Sequence, residues 1–251
     1  MSLHTTCMGI FDTLRICFPT VVDAVRGRVT LERCDERLDW WARKVLEDAD
    51  VDLVVRGREH AAGTRPFVVM SNHQSLFDIP VVFRAIPGRL RMVAKTELFK
   101  LPVFGQAMKA AGFIRIDRSD RVQATASLQV GAAMLQNGTR VWIAPEGTRS
   151  KTGALLPFKS GGFRMAIETN TPILPVAIDG TRHVLRARDV VVQQHHRVVV
   201  TIMPPIDPAP YGQGGRNRLM RDVRAAIAGA LGHDPSLVHR SAATTVAAPP
   251  A

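Results

Sequence analysis

The segment Asn72-His73-Gln74-Ser75-Leu76-Phe77-Asp78 sets a histidine five residues ahead of an aspartate. Imidazole, with a pKa near neutrality, is the side chain best suited to taking a proton from a hydroxyl. A carboxylate on its other ring nitrogen fixes the tautomer and stabilises the imidazolium that forms. The segment follows the apolar run Phe67 to Met70, which reads as a buried strand. His73 and Asp78 are therefore expected at a strand's carboxyl end, where α/β sheets keep their ligands. Both residues also have structural uses: Ser75-x-x-Asp78 resembles a capping box, and Asp78 ahead of Ile79-Pro80 fits an N-cap.

Two further polar sequences end apolar runs. Arg118 follows Phe113 to Asp117, in which Ile114 and Ile116 alternate with polar residues. It should share their side of the strand, so its guanidinium leaves an apolar face and needs an anion. Glu146-Gly147-Thr148-Arg149 follows Val141 to Ala144 and Pro145. Arg149 is a second fork suited to phosphate, and Lys95 and Lys159 add point charges. Glu146 suits substrate hydroxyls, the arginines, or a bracing role. If the three strands run parallel, all of these groups converge on one crevice.

Strand and helix signals alternate in the order such a crevice requires. Val51 to Arg56, Phe67 to Met70, Leu90 to Ala94, Phe113 to Asp117, Val141 to Ala144, Ile173 to Ile178 and Arg197 to Met203 read as strands. Arg121 to Gln136, closed by Asn137-Gly138, reads as a helix, as do Gly161 to Glu168 and Asn217 to Leu231. Ahead of them, Leu31, Cys34, Leu38, Trp41 and Val45 mark one face of a helix. Met8, Phe11, Leu14, Phe18 and Val21/Val22 mark an earlier, less regular one interrupted by Pro19. The expectation is an α/β fold with a mixed, largely parallel central sheet flanked by helices, preceded by an N-terminal amphipathic helical hairpin. The hairpin is assigned to residues 1–50, the α/β domain to 51–235 and a disordered, Ala/Thr/Pro-rich tail to 236–251. The hairpin's apolar face either packs on the domain or lies in a membrane interface, which Trp40, Trp41 and Arg43/Lys44 favour.

The 251 residues, 46% of them hydrophobic, can bury one substantial core. Cys7, Cys17 and Cys34 are odd in number and lack C-x-x-C spacing, so neither a disulfide framework nor a metal site is expected. No run approaches the roughly 18 apolar residues of a membrane span, and no signal peptide is expected. The net charge of +11 is uneven, with 8 basic and 10 acidic residues in 1–56 and 25 basic against 12 acidic beyond. That excess favours an anionic partner: a phosphate-bearing substrate, an anionic lipid surface, an acidic carrier protein or nucleic acid. A single tyrosine and 6% aromatic content make base stacking weak, so nucleic acid is not expected.

With these residues in place, the chain resembles the 1-acylglycerol-3-phosphate acyltransferase family of glycerolipid acyltransferases. The family's N-H-x4-D block is matched by Asn72, His73 and Asp78, and its glycine-led, arginine-ended strand by Gly112 to Arg118. Its F-P-E-G-T-R-S block is matched by Ala144-Pro145-Glu146-Gly147-Thr148-Arg149-Ser150, and its proline-centred block by Ile173 to Ile178. The four stand in family order over residues 72 to 178, and Ala94 to Gly105 is also family-like. Ala144 departs from the usual aromatic residue, which affects packing but removes no charge.

The resemblance implies that His73, oriented by Asp78, deprotonates the hydroxyl of a lysophospholipid, which attacks an acyl thioester without a covalent acyl-enzyme. Arg118, Glu146, Gly147, Thr148 and Arg149 would hold the glycerol phosphate, with Lys95 as a further cation. The implied donor is acyl-CoA or acyl carrier protein, with no cofactor. The implied location is peripheral, on the cytoplasmic face of an anionic membrane. Other lyso-lipids or glycerol 3-phosphate remain open as acceptors. So do a thioesterase or lipid hydrolase, although no G-x-S-x-G elbow is present, and a non-catalytic membrane-binding module.

Overall fold

The structure, a computed structural model, describes residues 2–117 and 121–232. Seven strands form one sheet in the order β1-β7-β6-β2-β5-β3-β4. They are β1 (Val51–Arg56), β2 (Val68–Ser71), β3 (Leu90–Lys95), β4 (Ile114–Ile116), β5 (Arg140–Ile143), β6 (Ile173–Asp179) and β7 (His196–Ile202). Neighbours are parallel except β6 and β7, so β2 to β6 all present their carboxyl ends at one edge. The expected mixed, largely parallel sheet is what forms. The central strand β2 is buried throughout, which is why it reads as an unbroken apolar run rather than an alternation. Pro175 is accommodated in β6 at the level where β7 ends. Met203 donates to its carbonyl at 3.0 Å, and Ile173 and Ile206 exchange hydrogen bonds beyond it.

Alternate residues of the strands feed two cores. Val69, Trp142 and Leu174 pack beneath α2 (Leu31–Asp48), α3 (Asp78–Ala85) and α4 (Phe104–Ala110). Val68, Met70 and Val141 pack beneath α5 (Arg121–Gln136), α6 (Gly161–Glu168) and α8 (Arg216–Ala230). A short helix, α7 (Thr181–Val184), follows β6 directly.

The two N-terminal helices differ in where their apolar residues face. In α2, Cys34, Leu38, Ala42, Val45 and Leu46 are buried against the domain. Its carboxylates meet domain arginines: Asp39 pairs with Arg84, Glu32 with Arg89, and Asp35 with Arg89 and the fully buried Arg91. Three of the acidic residues among the first 56 thus dock the helix. By contrast, α1 (Leu3–Val25) turns Leu3, Ile10, Phe11, Leu14 and Phe18 outward and buries Thr5, Asp12, Cys17 and Thr20. It runs straight through Pro19, whose expected interruption does not occur. Packing along α2 and α4 outweighs the roughly 3 kcal/mol that an interior proline costs a helix. The tryptophans are used inside the hairpin: Trp41 donates to Thr13 Oγ1 at 3.0 Å, and Trp40 lies under the Arg15 guanidinium. Among the described residues no helix is long and apolar enough to cross a membrane.

Candidate active site

The loop from Asn72 to Phe77 leaves the carboxyl end of β2 and is pinned to the neighbouring β6 and α7. Asn72 copies a strand neighbour, donating to the Ile178 carbonyl and accepting the Ile178 N–H, both at 2.8 Å. Gln74 Nε2 donates to the same carbonyl, and Ser75 Oγ donates to the Leu185 carbonyl at 2.7 Å. The loop is thus held by side chains where the backbone ladder has ended.

Asp78 opens α3 and is fully buried. Its Oδ2 lies 2.7 Å from His73 Nδ1 and accepts the N–H groups of Gln74 and Ser75 at 2.7 and 2.9 Å. Asp78 is thus not the N-cap of α3, which is Phe77; its carboxylate reaches back to the imidazole and to the two N–H groups that precede the helix. With Nδ1–H directed at Asp78, Nε2 keeps its lone pair, and no partner holds it among the described residues. The imidazole is 21% exposed and packs edge-on against Trp142, whose indole N–H donates to Ser71 Oγ at 2.9 Å.

The loop after β5 grips the histidine's backbone. Glu146 Oε1 accepts the His73 N–H at 2.7 Å, and the Ser150 N–H donates to the His73 carbonyl at 2.7 Å. Glu146 Oε2 accepts the Leu156 N–H at 2.7 Å. Arg224 of α8 in turn donates to the Leu155 and Leu156 carbonyls. Glu146 is 3% exposed, and burial pushes its carboxyl up to about 7 despite the two N–H donors. It braces backbone, and no arginine pairs with it among the described residues. Gly147 takes φ +73° in a tight turn bonded to the Ala144 carbonyl, a conformation that favours glycine.

His73, Asp78, Glu146, Gly147, Thr148 and Arg149 therefore meet at one sheet edge. Thr148 is exposed; Arg149 is half-buried, with no hydrogen bond or ion pair among the described residues. Lys95 ends β3, two strands and about 10 Å from β2, exposed and without a bond to His73 or Asp78. Arg118 lies outside the described residues. Trp142 and Thr181 join the site without having been expected there. Thr181 Oγ1 donates to Asp78 Oδ1 at 2.5 Å from 103 residues along the chain.

Beside this polar cluster lies an apolar cavity of about 520 Å³ between α1, α2, α3 and α4. Leu76 and Phe77, inside the His73–Asp78 loop, line it together with Gly9, Leu38, Phe83 and Met108. Its wall along α1 runs from Thr5 to Thr20, roughly 22 Å of helix, longer than the roughly 15 Å of one bilayer leaflet's hydrocarbon.

A family model described as Acyltransferase matches residues 52–179, half of the chain, and spans every part of this cluster up to the end of β6. The chain belongs to the acyltransferase family. Among relatives of this acyltransferase, 1-acyl-sn-glycerol-3-phosphate acyltransferase alpha of Mus musculus is 35% identical over 186 residues, 74% of this chain and 65% of its own. The Salmonella typhimurium 1-acyl-sn-glycerol-3-phosphate acyltransferase is 30% identical over 164 residues, 64% of each chain. The chain thus spans just under two thirds of these curated relatives. The crystal structure of the 1-acyl-sn-glycerophosphate (LPA) acyltransferase PlsC from Thermotoga maritima matches with a TM-score of 0.78 and 26% identity, over 95% of this chain and 96% of that one.

Proposed function

We propose that this acyltransferase moves a fatty acyl group from an acyl thioester, carried by coenzyme A or acyl carrier protein, to the free hydroxyl of 1-acylglycerol 3-phosphate, forming phosphatidic acid. The observation that carries this is the position of the His73–Asp78 loop, whose own Leu76 and Phe77 wall an apolar cavity long enough for an acyl chain. In this reading His73 Nε2 takes the acceptor's proton as its oxygen attacks the thioester carbonyl. The C–O bond forms, the C–S bond breaks, and the imidazolium returns the proton to the departing thiolate. Asp78 stabilises the imidazolium between these steps. Arg149, with the turn Gly147-Thr148 and with Arg118, is assigned to the acceptor's phosphate.

The test is a panel of labelled lyso-lipids and glycerol 3-phosphate, assayed with both donor types. Phosphatidic acid formation from 1-acylglycerol 3-phosphate is expected, and hydrolysis of the thioester with no acylated lipid would make the protein a thioesterase. In the same panel Arg149→Ala is expected to lower kcat/KM on phosphate-bearing acceptors by about tenfold, the worth of one charge-assisted contact. Equal losses on phosphate-free acceptors would make Arg149 structural.

We place the enzyme peripherally, on the cytoplasmic face of an anionic membrane; the outward stripe of α1, Leu3, Ile10, Phe11, Leu14 and Phe18, supports the peripheral contact. Phe18 is 65% exposed, so its burial in lipid would contribute most of a phenylalanine's transfer energy. Phe18→Ser is expected to weaken partitioning into anionic vesicles by about tenfold. Unchanged sedimentation with vesicles would remove α1 from the interface.

A further inference from the structure

We propose that Thr181 is a positioning residue for the catalytic pair, acting through Asp78. The assignment rests on His73 and Asp78 being the base and its orienter. Asp78 divides its acceptors cleanly: Oδ2 serves His73 Nδ1 and the N–H groups of Gln74 and Ser75, while Oδ1 takes the Thr181 hydroxyl at 2.5 Å. Asp78 and Thr181 are both 0% exposed, so water cannot stand in for that hydroxyl. Two consequences follow from one bond. It stops the carboxylate from rotating, which keeps Oδ2 on the imidazole. It also donates to the charge that must offset the imidazolium when His73 takes the acceptor's proton.

The fold delivers the hydroxyl with little freedom. Gly180, between β6 and α7, adopts φ +96°, and a Cβ there would come within 2.4 Å of the Arg197 carbonyl oxygen. The turn is therefore fixed against β7. A threonine, branched at Cβ, adds a restricted χ1 to that fixed backbone. The bond from Ser75 Oγ to the Leu185 carbonyl ties the far end of α7 to the same loop. The turn after β6 thus serves the histidine of the β2 loop across 103 residues of sequence.

The test compares purified Thr181→Val, Thr181→Ser and Thr181→Cys in acyl transfer, with thermal melts, and adds Thr181→Val in an Asp78→Asn background. Thr181→Val removes the donor at nearly constant volume. It is expected to lower kcat by about 10- to 30-fold with KM for both substrates within about twofold. Thr181→Ser keeps the donor and should stay within about threefold of the parent, with the weakly donating thiol of Thr181→Cys between the two. In the Asp78→Asn background, Thr181→Val should change kcat by less than about threefold, because the partner it serves is already altered. A Thr181→Val protein with near-parental kcat, or one losing as much in both backgrounds, would overturn the assignment. If the valine protein does not fold, equal activity of the serine and cysteine proteins would do so. His73→Ala assayed alongside separates the premises: retained turnover there defeats the base assignment itself, whereas an inactive His73→Ala beside a fully active Thr181→Val defeats only the role of Thr181.

Discussion

His73→Ala is expected to lower kcat by about 10²- to 10⁴-fold, the usual cost of losing a general base, in a protein that still folds. Preserved folding follows from how the histidine is held. Its N–H and carbonyl are bonded to Glu146 and Ser150 through the backbone, which alanine keeps. Asp78 loses one donor but retains the Gln74 and Ser75 N–H groups and the Thr181 hydroxyl, so no buried carboxylate is stranded. The imidazole lies edge-on to Trp142 and is 21% exposed, so the space left opens to the cleft rather than to a closed core. Labelled acyl transfer and a thermal melt on one preparation check both halves. Near-parental turnover in pure protein would take the proton-abstracting role away from His73.

The site's main features were legible because they rest on local pattern. Continuous apolar runs marked β2, β5 and β6, and the polar residues just past their ends fell together once those strands proved parallel. The spacing from His73 to Asp78 is a local geometry too, closed by a turn in which Asp78 also accepts from Gln74 and Ser75. Thr181 was not legible, since a hydroxyl that meets Asp78 only through the pairing of β6 with β2 has no spacing to betray it. Glu146 suited substrate hydroxyls, the arginines or a bracing role alike, and its residue type does not choose among them. A carboxylate beside arginines suggests an ion pair, yet its partners are two backbone N–H groups, which every residue but proline carries and which leave no mark in a sequence. The tryptophans of α2 illustrate the same limit. Trp40 and Trp41 look like interfacial anchors by type, but the antiparallel course of α1 gives them Arg15 and Thr13 as partners, and the outward stripe falls to α1 instead.

Replacing Glu146 by glutamine is expected to lower kcat by about 100-fold, since displacing a catalytic group by about 1 Å can cost that much. As a carboxylate, Glu146 accepts from His73 and Leu156 at once. An amide offers one acceptor and turns its NH₂ toward the other N–H, which pushes the His73 backbone out of place. Protonation of the native side chain weakens the same grip, since a neutral carboxyl accepts N–H bonds less strongly than a carboxylate. Burial holds that proton up to about pH 7. Activity should therefore climb through this region in the parent protein, and the glutamine variant should lose the part of that rise that Glu146 contributes. Stability should move the other way. The folded carboxyl binds its proton more tightly than the unfolded one, whose ordinary value is near 4.5, so the native state holds the extra proton between those limits. The stabilisation is complete below about 4.5 and is lost as pH rises through about 7, a change on the order of 3 kcal/mol across the window. Denaturant midpoints at pH 5 and pH 8 for the parent and Glu146→Gln would show the parent losing that much more than the variant. A parent whose stability is flat from pH 5 to pH 8 would mean that the side chain is ionised throughout. A glutamine variant with parental kcat would mean that the grip on His73 does not depend on its charge. The opposed slopes follow from burial: the ionised form that aligns the base is the one the desolvated site disfavours, and it is met there by the N–H groups of His73 and of Leu156, in the loop that Arg224 holds from α8.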